Sequence, residues 1–341
     1  MKIALAALAL PLLAGCPGQT SDSKLQTKIS ELASSLPSLS LSSDDRAELS
    51  KDLDGLSKDI GKGRENMALY DLQAVWSSYG VAAFCAKHAA AAKDEALYTQ
   101  IWKDQGSTLP EAAKRSNQAQ PLLARGLAEF ARDQANGFYM ASEAYGKQTT
   151  LQDGLAYFGL SRGLLAYANF CDAVSLQEGR SPKLRSMAGE LDDLESRELA
   201  AFENAKSSED STFIAMSQSI KTARELDDRK WYAGEAIAYL DADLGLEARN
   251  ARPLTRSEIL ERLQQERTSW SSKVDNSIPR YYVELATSEL DQSSEGLSQA
   301  SAICTATLPR YHRILEPAAA RPTLALSAKR VKITLVRWPY T

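Results

Sequence analysis

From Leu25 to Gln292 apolar residues recur at the three- and four-residue spacing of a buried helix face, and alternating β-branched runs are nearly absent before residue 321. That feature leaves little besides helices packed on helices. Helical patterns run through Glu65–Lys93, Glu95–Gln105, Ala119–Lys147, Gln152–Leu176, Pro182–Ala205, Ser211–Arg224, Arg229–Asn250, Ser257–Val274 and Pro279–Gln292. Between them stand helix stops such as Gly179-Arg180-Ser181-Pro182 and Arg252-Pro253-Leu254-Thr255. Ser257 with Glu258 reads as a helix start. Long helices joined by short loops pack as antiparallel hairpins.

Two shorter patterns come first. Leu25, Ile29, Leu32 and Leu36 form one narrow stripe, and Leu49, Leu53, Leu56 and Ile60 another, each predicting contact along a single seam. Gly61 and Gly63 are placed to cap the second helix, and the main domain is expected after them. Of the 341 residues 44% are hydrophobic and 25% charged, as in a folded chain, and the length exceeds what one compact core usually organises. The net charge of -4 argues against nucleic acid as a partner. At the other end Arg321-Pro322 stops helix. Val331, Ile333 and Leu335 then alternate with Lys332 and Thr334, which predicts a short C-terminal β-hairpin over 321–341.

The N-terminus opens MKIALAALALPLLAGCPGQ: one lysine, an apolar run too short to span a bilayer, then Leu13-Ala14-Gly15-Cys16. This resembles the lipobox of bacterial lipoproteins. The resemblance implies a signal peptide over 1–15 and a lipidated Cys16 as the first mature residue. Acyl chains at ~0.8 kcal/mol per buried methylene would hold the chain to a membrane. Pro17 in place of Asp favours the outer membrane under the familiar sorting rule. The expected location is therefore a cell or outer membrane, on its periplasmic or extracytoplasmic face, with no cofactor beyond the covalent lipid. Residues 16–63 read as a lipidated end, a stalk and short helices, 64–320 as the helical domain, and 321–341 as the tail.

Val81-Ala82-Ala83-Phe84-Cys85 and Ala166-Tyr167-Ala168-Asn169-Phe170-Cys171 share Ala-x-Phe-Cys near the ends of two long helices. The segment ANGFYMASEAYGKQTTLQDGLAYFGLSRGLLAYANF, with small residues where helices approach and aromatics filling gaps, resembles a tetratricopeptide pair. No 34-residue period holds and the Trp-Leu-Gly-Tyr spacing is incomplete, so the expectation is an irregular array of antiparallel helical hairpins. If the two matching segments are a duplication, stacked hairpins bring Cys85 and Cys171 together as a disulfide. Three small buried thiols, with Cys304, are the alternative.

No complete catalytic, metal or nucleotide motif is present, and no enzyme is expected. Cys85-Ala86-Lys87-His88 offers two metal ligands but has no second pair, and the only other histidine is His312. The acidic run Glu190 to Glu195 carries its leucines three apart, as a solvated helix face does. Arg162 stands in the row Leu155, Phe158, Arg162, Leu165, Asn169, on a helix apolar on two sides. It is therefore expected to be buried, facing either Glu129 or Glu143 on the preceding helix or a bound anion. Tyr232, Glu235 and Tyr239 share one helical face, as packing residues or as peptide anchors. The expected role is a binding scaffold for another envelope protein or a peptide. The alternative is a small-ligand-binding lipoprotein assisting a transport system. An open groove favours the first; an enclosed cavity favours the second.

Overall fold

The leucine stripes form as read. In the computed structural model, which describes residues 22–39, 41–107, 114, 116–148, 150–174, 179–204, 211–250, 253–290 and 294–315, α1 (Asp22–Ser35) and α2 (Ser43–Gly61) pack along those seams. The lipobox at Cys16 and the expected hairpin over 321–341 lie outside the described residues. Ser42 caps α2 by accepting the Asp45 amide. Gly61 is the last helical residue, and Gly63, at φ 73°, closes the helix with Gly63 N–H on the Ile60 carbonyl and Arg64 N–H on that of Asp59. Leu25 to Ile60 share one apolar core with the helices that follow, so this hairpin belongs to the body.

The protein is mainly α-helical. After α3 (Glu65–Lys87) and α4 (Glu95–Asp104) come α5 (Leu122–Gln148) and α6 (Leu151–Cys171), then α7 (Ala188–Asn204), α8 (Ser211–Asp228) and α9 (Tyr232–Asn250). α10 (Arg256–Ser269), α11 (Ser277–Glu289) and α12 (Ser294–Ala302) follow, and a π-helical turn at Ile303–Thr307 leads into α13 (Leu308–Leu315). α10 starts one residue before the sequence signal: Thr255 is its N-cap, and Glu258 completes a capping box. Among the described residues the only β-type pairing is an isolated bridge between Arg180 and Val274.

Helices α3, α6, α5 and α9 lie side by side, each antiparallel to the next. Phe84 meets Phe158 while the Tyr167 hydroxyl donates to the Leu69 carbonyl. Ser161 reaches the Ala135 carbonyl, and Glu129 accepts the Gly234 amide at 2.8 Å. At the α3–α6 crossing the backbones touch. A Cβ on Gly80 would stand 2.6 Å from the Gly159 carbonyl oxygen, and one on Gly163 would stand 2.6 Å from that of Trp76. α11 closes one end of this layer, where Glu284 accepts the Met67 amide and Asp275 the Leu122 amide. A smaller aromatic core of Phe84, Tyr98, Tyr139 and Phe158 closes the other end beneath α4.

Candidate functional site

The crossing glycines seat α3 closely against α6, and α2 lies beside the surface that these two helices share. The resulting groove holds about 700 Å³ and is open to solvent. Its floor is made of small apolar residues, among them Val81, Ala82 and Ala86 of α3 with Ala156 and Leu160 of α6. Its α2 wall carries Asp45, Glu48 and Asp52, all exposed, and no lysine or arginine lines it. The helix periodicity explains this wall. Leu49 and Leu53 turn into the core, Glu48 and Asp52 stand about 100° round the helix from them on the exposed side, and exposed Asp45 lies one turn before Leu49 at the edge of the buried stripe. An acidic wall above an apolar floor suits a ligand that is itself two-sided, basic along one edge and apolar along the other.

Cys85 lies in this floor, where burial raises its thiol pKa and Gln152 hydrogen-bonds it. His88 instead packs against Phe84 with the rings tilted at 43° and their centroids 4.4 Å apart, its pKa lowered by burial and by Lys87. A protonated thiol and a separately engaged imidazole do not form a nucleophile–base pair. The expected bridge from Cys85 to Cys171 is not made; both are free thiols, as is Cys304. Antiparallel packing is the reason. Cys85 meets Gln152 at the start of α6 and Cys171 ends that helix nineteen residues on, so at 1.5 Å per residue they are roughly 28 Å apart against the ~7 Å limit for bridging.

Arg162 also departs from expectation, for it is exposed, as is Asn169. With α3 on one side and α5 on the other, α6 keeps one narrow solvent strip, and Arg162, Ala166 and Asn169 occupy it. The buried guanidinium belongs to Arg132 on α5, wholly enclosed, bonded to Ser116, Asn169 and Asp172. The stretch ANF-CD was thus the receiver of a buried arginine rather than its carrier. The other half of that expectation fails too, since Glu129 caps α9 through the Gly234 amide.

Tyr239 and Glu235 are buried in the packing of α9, and Tyr232 is half-buried at its start. Glu235 accepts the Met187 amide at 2.8 Å, while its other oxygen is buried without a hydrogen-bond partner. Two further polar clusters escaped the sequence reading. Asp241 receives the hydroxyls of Tyr70 (2.6 Å) and Tyr282 (2.9 Å), with Tyr281 stacked on Tyr70. Asp243, fully buried, is held by Arg197 and Arg310, which also share Glu247. Asp241 and Asp243 sit two apart in a helix otherwise rich in alanine and leucine, which was the available signal. Among the described residues no group of three or more His, Cys, Asp or Glu is placed to hold a metal, and no helix is long and apolar enough to cross a membrane.

Burial pushes several of these carboxyls upward: Glu235 to about 8, Glu129 and Glu284 to about 7, and Asp241 to about 6. A folded acid that binds its proton more tightly than the unfolded chain adds stability below the unfolded value. That contribution is lost as pH rises through the folded one. Thermal unfolding followed by circular dichroism should therefore show Tm falling between about pH 5 and 8. Glu235→Gln should flatten the upper part of that fall. An unchanged profile in the variant would remove Glu235 from the explanation.

No family model, no curated protein and no solved structure matches this chain.

Proposed function

We propose that the protein is a lipid-anchored scaffold of the cell envelope that holds a basic, amphipathic segment of a partner protein in the α2–α3–α6 groove. The observation that carries this reading is the groove itself: three carboxylates on one wall, an apolar floor of small side chains, and an open side. The small floor residues leave room for a partner's larger apolar side chains, which supply most of the association energy, while the acidic rim sets orientation and rate. The anchor reading rests on Leu13-Ala14-Gly15-Cys16, and an irregular hairpin array in the manner of tetratricopeptide proteins is the arrangement in which such grooves recur. An open hollow supports the scaffold over the transport-assisting small-ligand protein.

The test places a photo-crosslinking amino acid at Ala86 and irradiates intact cells. Mass spectrometry of the adduct should identify a segment with lysines or arginines on one helical edge and apolar residues on the other. Glu48→Lys with Asp52→Lys should abolish the adduct and leave thermal melting unaltered, both side chains being exposed. Adducts to acidic segments, or a crosslink indifferent to the charge reversal, would sink the proposal.

A further inference from the structure

A second hollow, on the opposite side of α5 from the groove-forming α6, has the reverse charge. It holds about 290 Å³ between the start of α5, the loop before α7 and the α8–α9 turn, and Arg125, Lys183 and Lys230 all line it. We propose that this hollow binds a small phosphate-type oxyanion.

The contacts of the residues lining the hollow support this assignment. Arg132, Arg197, Arg224, Arg229 and Arg310 each end on a carboxylate. Arg125 makes no such ion pair: its Nη1 makes one 3.3 Å hydrogen bond to the neutral Gln118 amide, its Nε is buried with no hydrogen-bond partner, and Glu129 four residues on attracts it only at longer range. Lys183 and Lys230 make no ion pair among the described residues. The one carboxylate in the lining, Glu129, turns an oxygen to the Gly234 amide of α9. Three cations with one occupied carboxylate leave the hollow positive, and the half-buried Tyr232 adds a hydroxyl at its edge.

Lys230 adds an independent observation. It ends α8 in a left-handed conformation, φ 59°, with its N–H on the Asp227 carbonyl and that of Trp231 on Leu226. This is the same closure that α2 makes with Gly63. Glycine adopts that backbone without steric cost, whereas a side chain does so under strain. A lysine here holds an ammonium at the rim of the hollow in a place where the fold alone favours glycine.

That conflict between fold and ligand supplies the test. Inorganic phosphate is titrated calorimetrically into the full chain carrying Cys16→Ser, so that no acyl group acts as an anchor, at constant ionic strength. One saturable site per chain is expected. Lys230→Gly and Arg125→Gln should each weaken it about tenfold, the scale of one charge-assisted contact. Lys230→Gly should also melt at or above the parent temperature, which separates lost binding from lost folding. Phosphatidylglycerol vesicles form the second arm, in which no binding is expected. Absence of saturable phosphate binding, affinity unchanged in Lys230→Gly, or binding to vesicles alone would each overturn the assignment.

Discussion

Replacing Arg132 with alanine is expected to remove about 3–5 kcal/mol of folding stability, the range for breaking a buried pair by deleting one partner. Arg132 is wholly enclosed, and its guanidinium ties α5 to Ser116 and to Asn169 and Asp172 at the end of α6. Alanine leaves a cavity the size of the side chain and strands Asp172, which is mostly shielded from water. Urea denaturation reads the loss directly, and Tm should fall by roughly 10 °C. Asp172→Asn should cost less, because it leaves no cavity and its amide oxygen can keep the bond from Arg132, while the Asn117 N–H, which bonds the other carboxylate oxygen, loses its acceptor. A double-mutant cycle should then give a coupling energy above about 1 kcal/mol. Arg132→Ala within 1 kcal/mol of the parent would show that the buried charge is not what joins these helices.

Gly80→Ala is expected to destabilise the protein even though alanine is the better helix former by about 0.5–1 kcal/mol. Its Cβ would meet Gly159 O at 2.6 Å, Gly163 Cα at 2.7 Å and Gly163 N at 2.8 Å, all backbone atoms that no side-chain rotation can move. The helices must separate, and overpacking of this kind costs about 1–3 kcal/mol or more. Gly137→Ala on α5 is the control. Nothing lies within 4 Å of its Cβ, it is exposed, and the substitution should stabilise by about 0.5–1 kcal/mol. Opposite signs in the two chemical melts are expected; two stabilised variants would mean the backbones are not in contact. Because Val81 and Ala82 follow Gly80, the same variant should also weaken crosslinking from Ala86.

The helices were legible because their boundaries are written locally. Leu49 to Ile60, Gly63 and Glu258 each act within one or two turns of where they stand. Which arginine goes inside was not local. Arg162 stands in an apolar row and is exposed, while Arg132 stands beside Ala128, Ala131 and Ala135 and is buried. The small neighbours of Arg132 let α6 come close enough to cover it, and α6 itself kept one strip free, which no single-helix periodicity reveals. The cysteine pair misled for a related reason. Matching positions on two helices meet when the helices run parallel, and these run antiparallel. The groove was invisible because three separated stretches supply it, and its floor of alanines reads in each as ordinary helix.

The α3–α6 contact has a mechanical side. Two walls of the groove are locked to each other backbone against backbone, but the third, α2, is held through the leucine seams of the α1–α2 hairpin and a few polar ties such as Ser35 with Tyr79. Opening free energy is thus uneven across the groove, with the compliant part being the wall that carries the carboxylates. Displacing that hairpin uncovers the floor without breaking the glycine crossing, at the cost of the leucine contacts it makes with the shared core. Among the described residues the hairpin also comes first, so tension applied ahead of Asp22 loads this wall before any other described element. If Cys16 is anchored as proposed, a pull from that end would open the grip.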